Sequence, residues 1–205
     1  MKATRKQSSS SLQQGETTSW LDTATGLWSN AAQLASPHCD ARPPTNEVSL
    51  LVVHNISLPP GAFGEGYIHD LFLGRLDAGA HPYFAGIAHL KVSAHACIFR
   101  DGRVTQYVPT TLRAWHAGES SFDGRTRCND FSIGIELEGT DDEPFTDAQY
   151  EALTAMARAA LHVYPQLTAK RIVGHSNIAP GRKTDPGPCF DWLRFRTSLS
   201  LGAAP

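Results

Sequence analysis

Apolar residues recur along the chain in two periods, and each change of period marks an element. Residues 48–54, Val-Ser-Leu-Leu-Val-Val-His, form a nearly continuous apolar run rich in β-branched side chains. Such a run predicts a strand buried on both faces, with His54 at its carboxyl end. Residues 131–138 alternate instead: Phe131, Ile133, Ile135 and Leu137 share one face, and Gly134, Glu136 and Glu138 share the other. Residues 92–99 and 104–108 flank an Asp-Gly turn at Asp101 and Gly102, which predicts a hairpin. Helical spacing takes over where Ile68, Leu71 and Phe72 lie between Gly66 and Gly74. It returns over Tyr150, Leu153, Ala157, Ala160, Leu161 and Tyr164, behind a Thr146-x-x-Gln149 capping box. A last short helix is expected from Phe190 to about Leu199, turning Trp192 and Phe195 inward. Together these predict a mixed α/β (α+β) fold, one central sheet flanked by helices.

The pattern lapses near the amino end. Residues 1–20 are polar and rich in Ser and Gln, which predicts a disordered tail and leaves residues 21–205 as a single domain. From residue 20 to 44 the apolar positions are scattered among turn formers, so this arm is expected on the surface. A hydrophobic fraction of 41% in 205 residues is enough for one sizeable core. The formal charge of -2 argues against a nucleic-acid partner held by phosphate neutralisation. No apolar run approaches the roughly 20 residues a bilayer requires. A basic start without an apolar h-region, and four cysteines without a C-x-x-C pair, point to a cytoplasmic protein with reduced thiols.

Chemistry concentrates in residues 172–188, Ile-Val-Gly-His-Ser-Asn-Ile-Ala-Pro-Gly-Arg-Lys-Thr-Asp-Pro-Gly-Pro. A short apolar run brings His175 to a strand end, and the Gly and Pro residues then fix an irregular path carrying Lys183 and Asp185. His54 ends the other buried strand. Two imidazoles and one carboxylate make a set that can hold Zn²⁺ and leave a fourth position open, although no short H-E-x-x-H pattern occurs. His95 falls inside a predicted strand, where packing, or a hydrogen bond one step behind the ligands, explains it. Alternation does not choose between Glu136 and Glu138 as an acid–base residue; Gly134 beside them leaves room for a ligand to approach.

The segments Leu51-Val-Val-His-Asn-Ile-Ser-Leu-Pro-Pro-Gly61, Ala114-Trp-His-Ala-Gly118, residues 128–140 and residues 174–188 resemble the amidase_2 or peptidoglycan-recognition family of zinc N-acetylmuramoyl-L-alanine amidases. The likeness runs in order from about residue 36 to about residue 196. It implies that His54, His175 and Asp185 hold one Zn²⁺ per chain. It places Glu136 and Lys183 at the catalytic positions, Glu136 as general base and Lys183 as stabiliser of the oxyanion. It also implies a substrate groove lined by Asn55, Ala114, Trp115, His116, Arg127 and Asn129, with Arg127 gripping a stem-peptide carboxylate. Trp115 either offers a flat face to a sugar or fills core. The implied reaction is hydrolysis of the amide joining the lactyl group of 1,6-anhydro-N-acetylmuramic acid to L-alanine, in cytoplasmic peptidoglycan recycling. The implied enzyme is a monomer whose partner is the anhydromuropeptide, with no membrane or nucleic acid. Competing readings are a non-catalytic peptidoglycan-binding module and an amidase acting on intact wall.

Overall fold

The computed structural model describes residues 20–45 and 47–201. The expected tail therefore lies outside the described residues, apart from Trp20. In chain order the strands and helices are β1 (Ala32–Gln33), β2 (Cys39–Ala41), β3 (Leu50–Ile56), α1 (Tyr67–Phe72), β4 (Ala96–Ile98), β5 (Val104–Gln106) and β6 (Leu112–Ala114). They continue with β7 (Ser121–Phe122), β8 (Arg125–Thr126), β9 (Ser132–Glu138), α2 (Asp147–Val163), β10 (Ile172–Gly174), α3 (His175–Ile178) and α4 (Trp192–Leu201).

Six strands form the central sheet in the order β1-β5-β4-β9-β3-β10. Only the β4–β5 hairpin within it is antiparallel. This is the mixed sheet expected from the sequence, and its two longest strands, β3 and β9, are the two apolar runs. Parallel strands need cover on both faces. On one face Leu51, Val53, Ile133, Ile135 and Leu137 pack with Leu153, Met156, Ala157 and Ala160 of α2 and with Phe195 and Leu199 of α4. Each fully buried aliphatic side chain of this kind contributes about 1.5–3 kcal/mol. The α2 start carries the anticipated capping box: the Gln149 amide donates to Thr146 Oγ1 and Gln149 Oε1 accepts from the Thr146 amide.

The opposite face of β3 and β9 is buried as well, so the polar alternation of β9 does not mark a solvated side. Register explains what stands there. Leu50 pairs with Ser132, Val52 with Gly134 and His54 with Glu136, so these six positions share the face turned away from α2. α1 covers part of it, with Ile68, Leu71 and Phe72 packed around Phe84, Cys97 and Tyr107.

The arm departs from expectation. Leu21 and Trp28 are buried in the α2-side core, and β1 extends the sheet beside β5. Its order comes from one glutamine: Gln106 Oε1 accepts from the Trp28 amide at 2.9 Å, and its Nε2 donates to the Gly26 carbonyl at 2.8 Å. The strand expected over residues 92–99 shortens to β4; upstream, the Ser93 amide donates to the Trp115 carbonyl at 3.1 Å, away from the central sheet.

Candidate active site

In open sheets with parallel strands, ligands bind beyond the carboxyl ends of the strands. His54 lies near that end of β3, and Glu136 lies directly beside it on β9. β10 runs parallel to β3 with Gly174 opposite Val53, so the next residue, His175, arrives alongside His54 across a sequence gap of 121 residues. The loop after α3 then returns Asp185. Its carbonyl accepts from the Ser176 amide at 3.0 Å. Gly174 is required for that return, since a Cβ there would sit 2.7 Å from Pro186 Cδ.

The three side chains converge. His54 Nδ1, His175 Nδ1 and Asp185 Oδ2 are each 3.0 Å from the other two. His175 Nε2 stands 3.1 Å from the Ala117 carbonyl, which can only accept, so that nitrogen carries the ring proton and Nδ1 presents a lone pair. Burial drives the His54 imidazole down to about 4, which keeps it neutral. Burial would raise the Asp185 carboxyl, but the adjoining His175 and His54 rings outweigh it and hold the group well below the usual carboxylate range. Two ring nitrogens and a carboxylate oxygen thus face one spot. A tetrahedral Zn²⁺ with bonds of roughly 2.0–2.1 Å spaces its ligand atoms about 3.3 Å apart, so this triangle fits a metal ion.

Glu136 is buried, and its Oε2 has no hydrogen-bond partner among the described residues. Burial first, then the nearby Asp185 charge, push its carboxyl well above the ordinary value, while Lys183 pulls it down. Glu138 is spent differently. Its Oε1 accepts from the Gly64 amide at 2.6 Å and its Oε2 from the Arg100 amide at 3.1 Å, which ties it to two loops.

A cleft of about 600 Å³ opens over these groups. His54, Glu136, His175, Lys183 and Asp185 all line it, with Asn55, Trp115 and His116 from the expected groove. A cavity of about 690 Å³ lies elsewhere, at the entry ends of β3 and β10, and contains none of these residues. Three expected groove residues stand outside the cleft wall. Ala114 is fully buried in the α1-side core. Arg127 sits exposed on a left-handed turn, 3.4 Å from Asp130. Asn129 Oδ1 accepts from the His116 and Ala117 amides at 3.1 and 2.8 Å. Trp115 lines the cleft with its indole N–H held by Asp40 at 3.1 Å. His95 is packed as expected, its Nδ1 accepting from the Gly134 amide at 3.0 Å.

The space beside Gly134 is a further correction. A Cβ there would lie 2.4 Å from His116 Cγ, so the slot is filled by the His116 ring and not kept for a ligand. Sequence reasoning also passed over Asp141, which lines the cleft and accepts from Asn55 Nδ2 at 2.7 Å, and Arg182, which donates to the Ala117 carbonyl at 2.7 Å. Their position just past a strand end, or inside the Gly/Pro loop, was the available signal.

The sequence profile of the Amidase_2 family, described as N-acetylmuramoyl-L-alanine amidase, matches residues 44–188. The chain is 62% identical over 175 residues to the 1,6-anhydro-N-acetylmuramyl-L-alanine amidase AmpD of Citrobacter freundii, covering 85% of this chain and 93% of that protein. It is 61% identical over 170 residues to AmpD of Escherichia coli (strain K12), covering 83% and 92%. A crystal structure of a selenomethionine AmpD derivative superposes with a TM-score of 0.84 at 60% identity, over 87% of this chain and 98% of that one. None of the described helices is long and apolar enough to cross a membrane. With a profile that spans most of the described chain and relatives matched along nearly their whole length, the protein belongs to the N-acetylmuramoyl-L-alanine amidase family Amidase_2.

Proposed function

We propose that this amidase is a zinc enzyme that cleaves the bond between the lactyl group of 1,6-anhydro-N-acetylmuramic acid and L-alanine, in cytoplasmic peptidoglycan recycling. The observation that carries this is the triangle of His54, His175 and Asp185 donor atoms, 3.0 Å on each side, beside a buried glutamate with a free oxygen. The anhydro sugar is supported by the names of the relatives matched at about three residues in five. Four free cysteines support a reducing compartment. Leu21 and Leu199 share one core, which supports residues 21–205 acting as one catalytic domain; the reading takes that domain to act as a monomer.

His54, His175 and Asp185 would hold the ion. Zinc, when bound, supplies Lewis acidity that lowers the pKa of water to about 7 and polarises a carbonyl. Glu136, within the cleft, takes a proton from the attacking water and returns it to the amide nitrogen as the C–N bond breaks. Burial and the Asp185 charge make that carboxylate a stronger base than an exposed one. Lys183 presents its ammonium to the carbonyl oxygen as negative charge gathers there. Asn55, tied to Asp141, and Trp115, tied to Asp40, form walls that keep one shape as substrate enters. Two imidazoles and a carboxylate can also take iron, but hydrolysis calls for no redox change, which favours zinc.

Metal analysis with mass spectrometry of digests tests this. The expected result is about one zinc per chain and release of stem peptide from anhydromuropeptide, abolished by chelation and restored by Zn²⁺. Persistent cleavage without metal overturns the mechanism, and equal attack on intact sacculi overturns the recycling role.

A further inference from the structure

Each imidazole of the triangle uses its second nitrogen on a neighbour, and both neighbours come from one short stretch. His54 Nε2 lies 3.0 Å from His116 Nδ1, and His116 Nε2 lies 3.0 Å from Ser132 Oγ. With His54 Nδ1 turned to the other two donors, its Nε2 carries the proton and donates to His116, whose own proton then goes to Ser132. His175 Nε2 donates to the Ala117 carbonyl. His116 and Ala117 are adjacent, and Asn129 Oδ1 accepts from both of their backbone amides.

The stretch is itself fastened. Arg42 donates to the carbonyls of Asn129 at 3.1 Å, Asp130 at 3.3 Å and Ser132 at 2.8 Å. The His116 ring seats in the slot left by Gly134. A shift of the 116–117 peptide would therefore turn both imidazoles together.

We propose that His116 and Asn129 are positioning residues that set metal affinity, His116 by fixing the His54 tautomer and Asn129 by holding the Ala117 carbonyl against His175. This rests on the zinc reading above. Partners of this kind, one step behind the ligands, typically change metal affinity 10–100-fold when removed. It also gives His116 and Asn129 a role other than contact with substrate.

The test is the Zn²⁺ dissociation constant of the full chain, measured by competition with a chromophoric chelator, alongside the melting temperature of the metal-free protein. Leucine and asparagine have similar shapes, and Asn Oδ1 stands close to where His Nδ1 was. His116→Leu and Asn129→Leu should weaken Zn²⁺ binding about 10–100-fold. His116→Asn and Asn129→Asp, which keep an acceptor, should stay within about threefold of wild type. Leucine variants that bind as tightly as wild type overturn the proposal. So do acceptor-bearing variants as weak as the leucine ones, because shape alone would then explain the loss. If the leucine variants do not fold, Ser132→Ala removes only the far end of the chain. A loss of about three- to tenfold is then expected, and no loss overturns the role of His116. Wild-type protein that takes up no Zn²⁺ defeats the zinc reading itself, a result distinct from these.

Discussion

Replacing Glu136 by glutamine keeps the shape of a buried side chain and removes its ability to carry a proton. General-base catalysis contributes about 10²–10⁴ in rate, equivalent to about 2.7–5.5 kcal/mol at roughly 1.36 kcal/mol per decade. Glu136→Gln should therefore lower kcat on anhydromuropeptide by at least about a hundredfold. Zinc content should not change, because the three converging donors come from His54, His175 and Asp185.

The same burial makes a second, opposite prediction. The folded carboxyl titrates well above its ordinary value, so between the unfolded pKa of about 4.3 and the raised folded value the native state binds more protons than the unfolded one. Stability then falls as pH rises through that window, and Glu136 contributes its full share only below it. Glutamine does not titrate, so metal-free Glu136→Gln should lose less stability than metal-free wild type between pH 5 and pH 8. Peptide release followed by liquid chromatography gives kcat, and chemical denaturation at the two pH values gives the stability difference. Turnover within tenfold of wild type would sink the general-base role. Identical pH slopes would instead show that Glu136 is not held in a strained, charge-averse setting.

Three further perturbations separate neighbouring roles. Glu138→Gln turns an amide N–H toward either Gly64 or Arg100, so about 1–3 kcal/mol of stability should be lost with kcat of the folded enzyme preserved; denaturation and kinetics read the two apart. Lys183→Met should cost roughly 10²–10³ in kcat with zinc affinity unchanged, and a pure rise in KM would move Lys183 to ground-state binding. Gly134→Ala places a methyl 2.4 Å from His116 Cγ, which should cost about 1–3 kcal/mol and weaken zinc binding as the ring is displaced; an unaltered Zn²⁺ titration would contradict this.

These cases also show what periodicity can and cannot carry. β3, β9 and α2 were legible because local pattern and burial agree in them: a β-branched apolar run, strict alternation, and a helical stripe behind a capping box. The arm and residues 111–130 were not, because long-range side-chain bonds order them. Gln106 fastens Trp28, Arg42 fastens the Asn129 and Ser132 carbonyls, and Asn129 fastens His116, and none of these leaves a period in the sequence. His54 and His175 could be placed at strand ends, yet their adjacency depends on β10 pairing with β3, a register that no short window contains.

The face of β9 beyond Gly134 makes the distinction concrete. Alternation puts Gly134, Glu136 and Glu138 on one side and assigns them equal standing. Tertiary contacts then give each a separate fate: Gly134 makes room for a histidine, Glu138 is consumed by two backbone amides, and Glu136 alone keeps a free oxygen in the cleft. Both Glu138 oxygens already accept from backbone amides and neither is left for the attacking water, whereas Glu136 keeps one free. The choice between the two glutamates is therefore made by what surrounds them, and the Glu136→Gln and Glu138→Gln pair measures that choice as a loss of rate in one and of stability in the other.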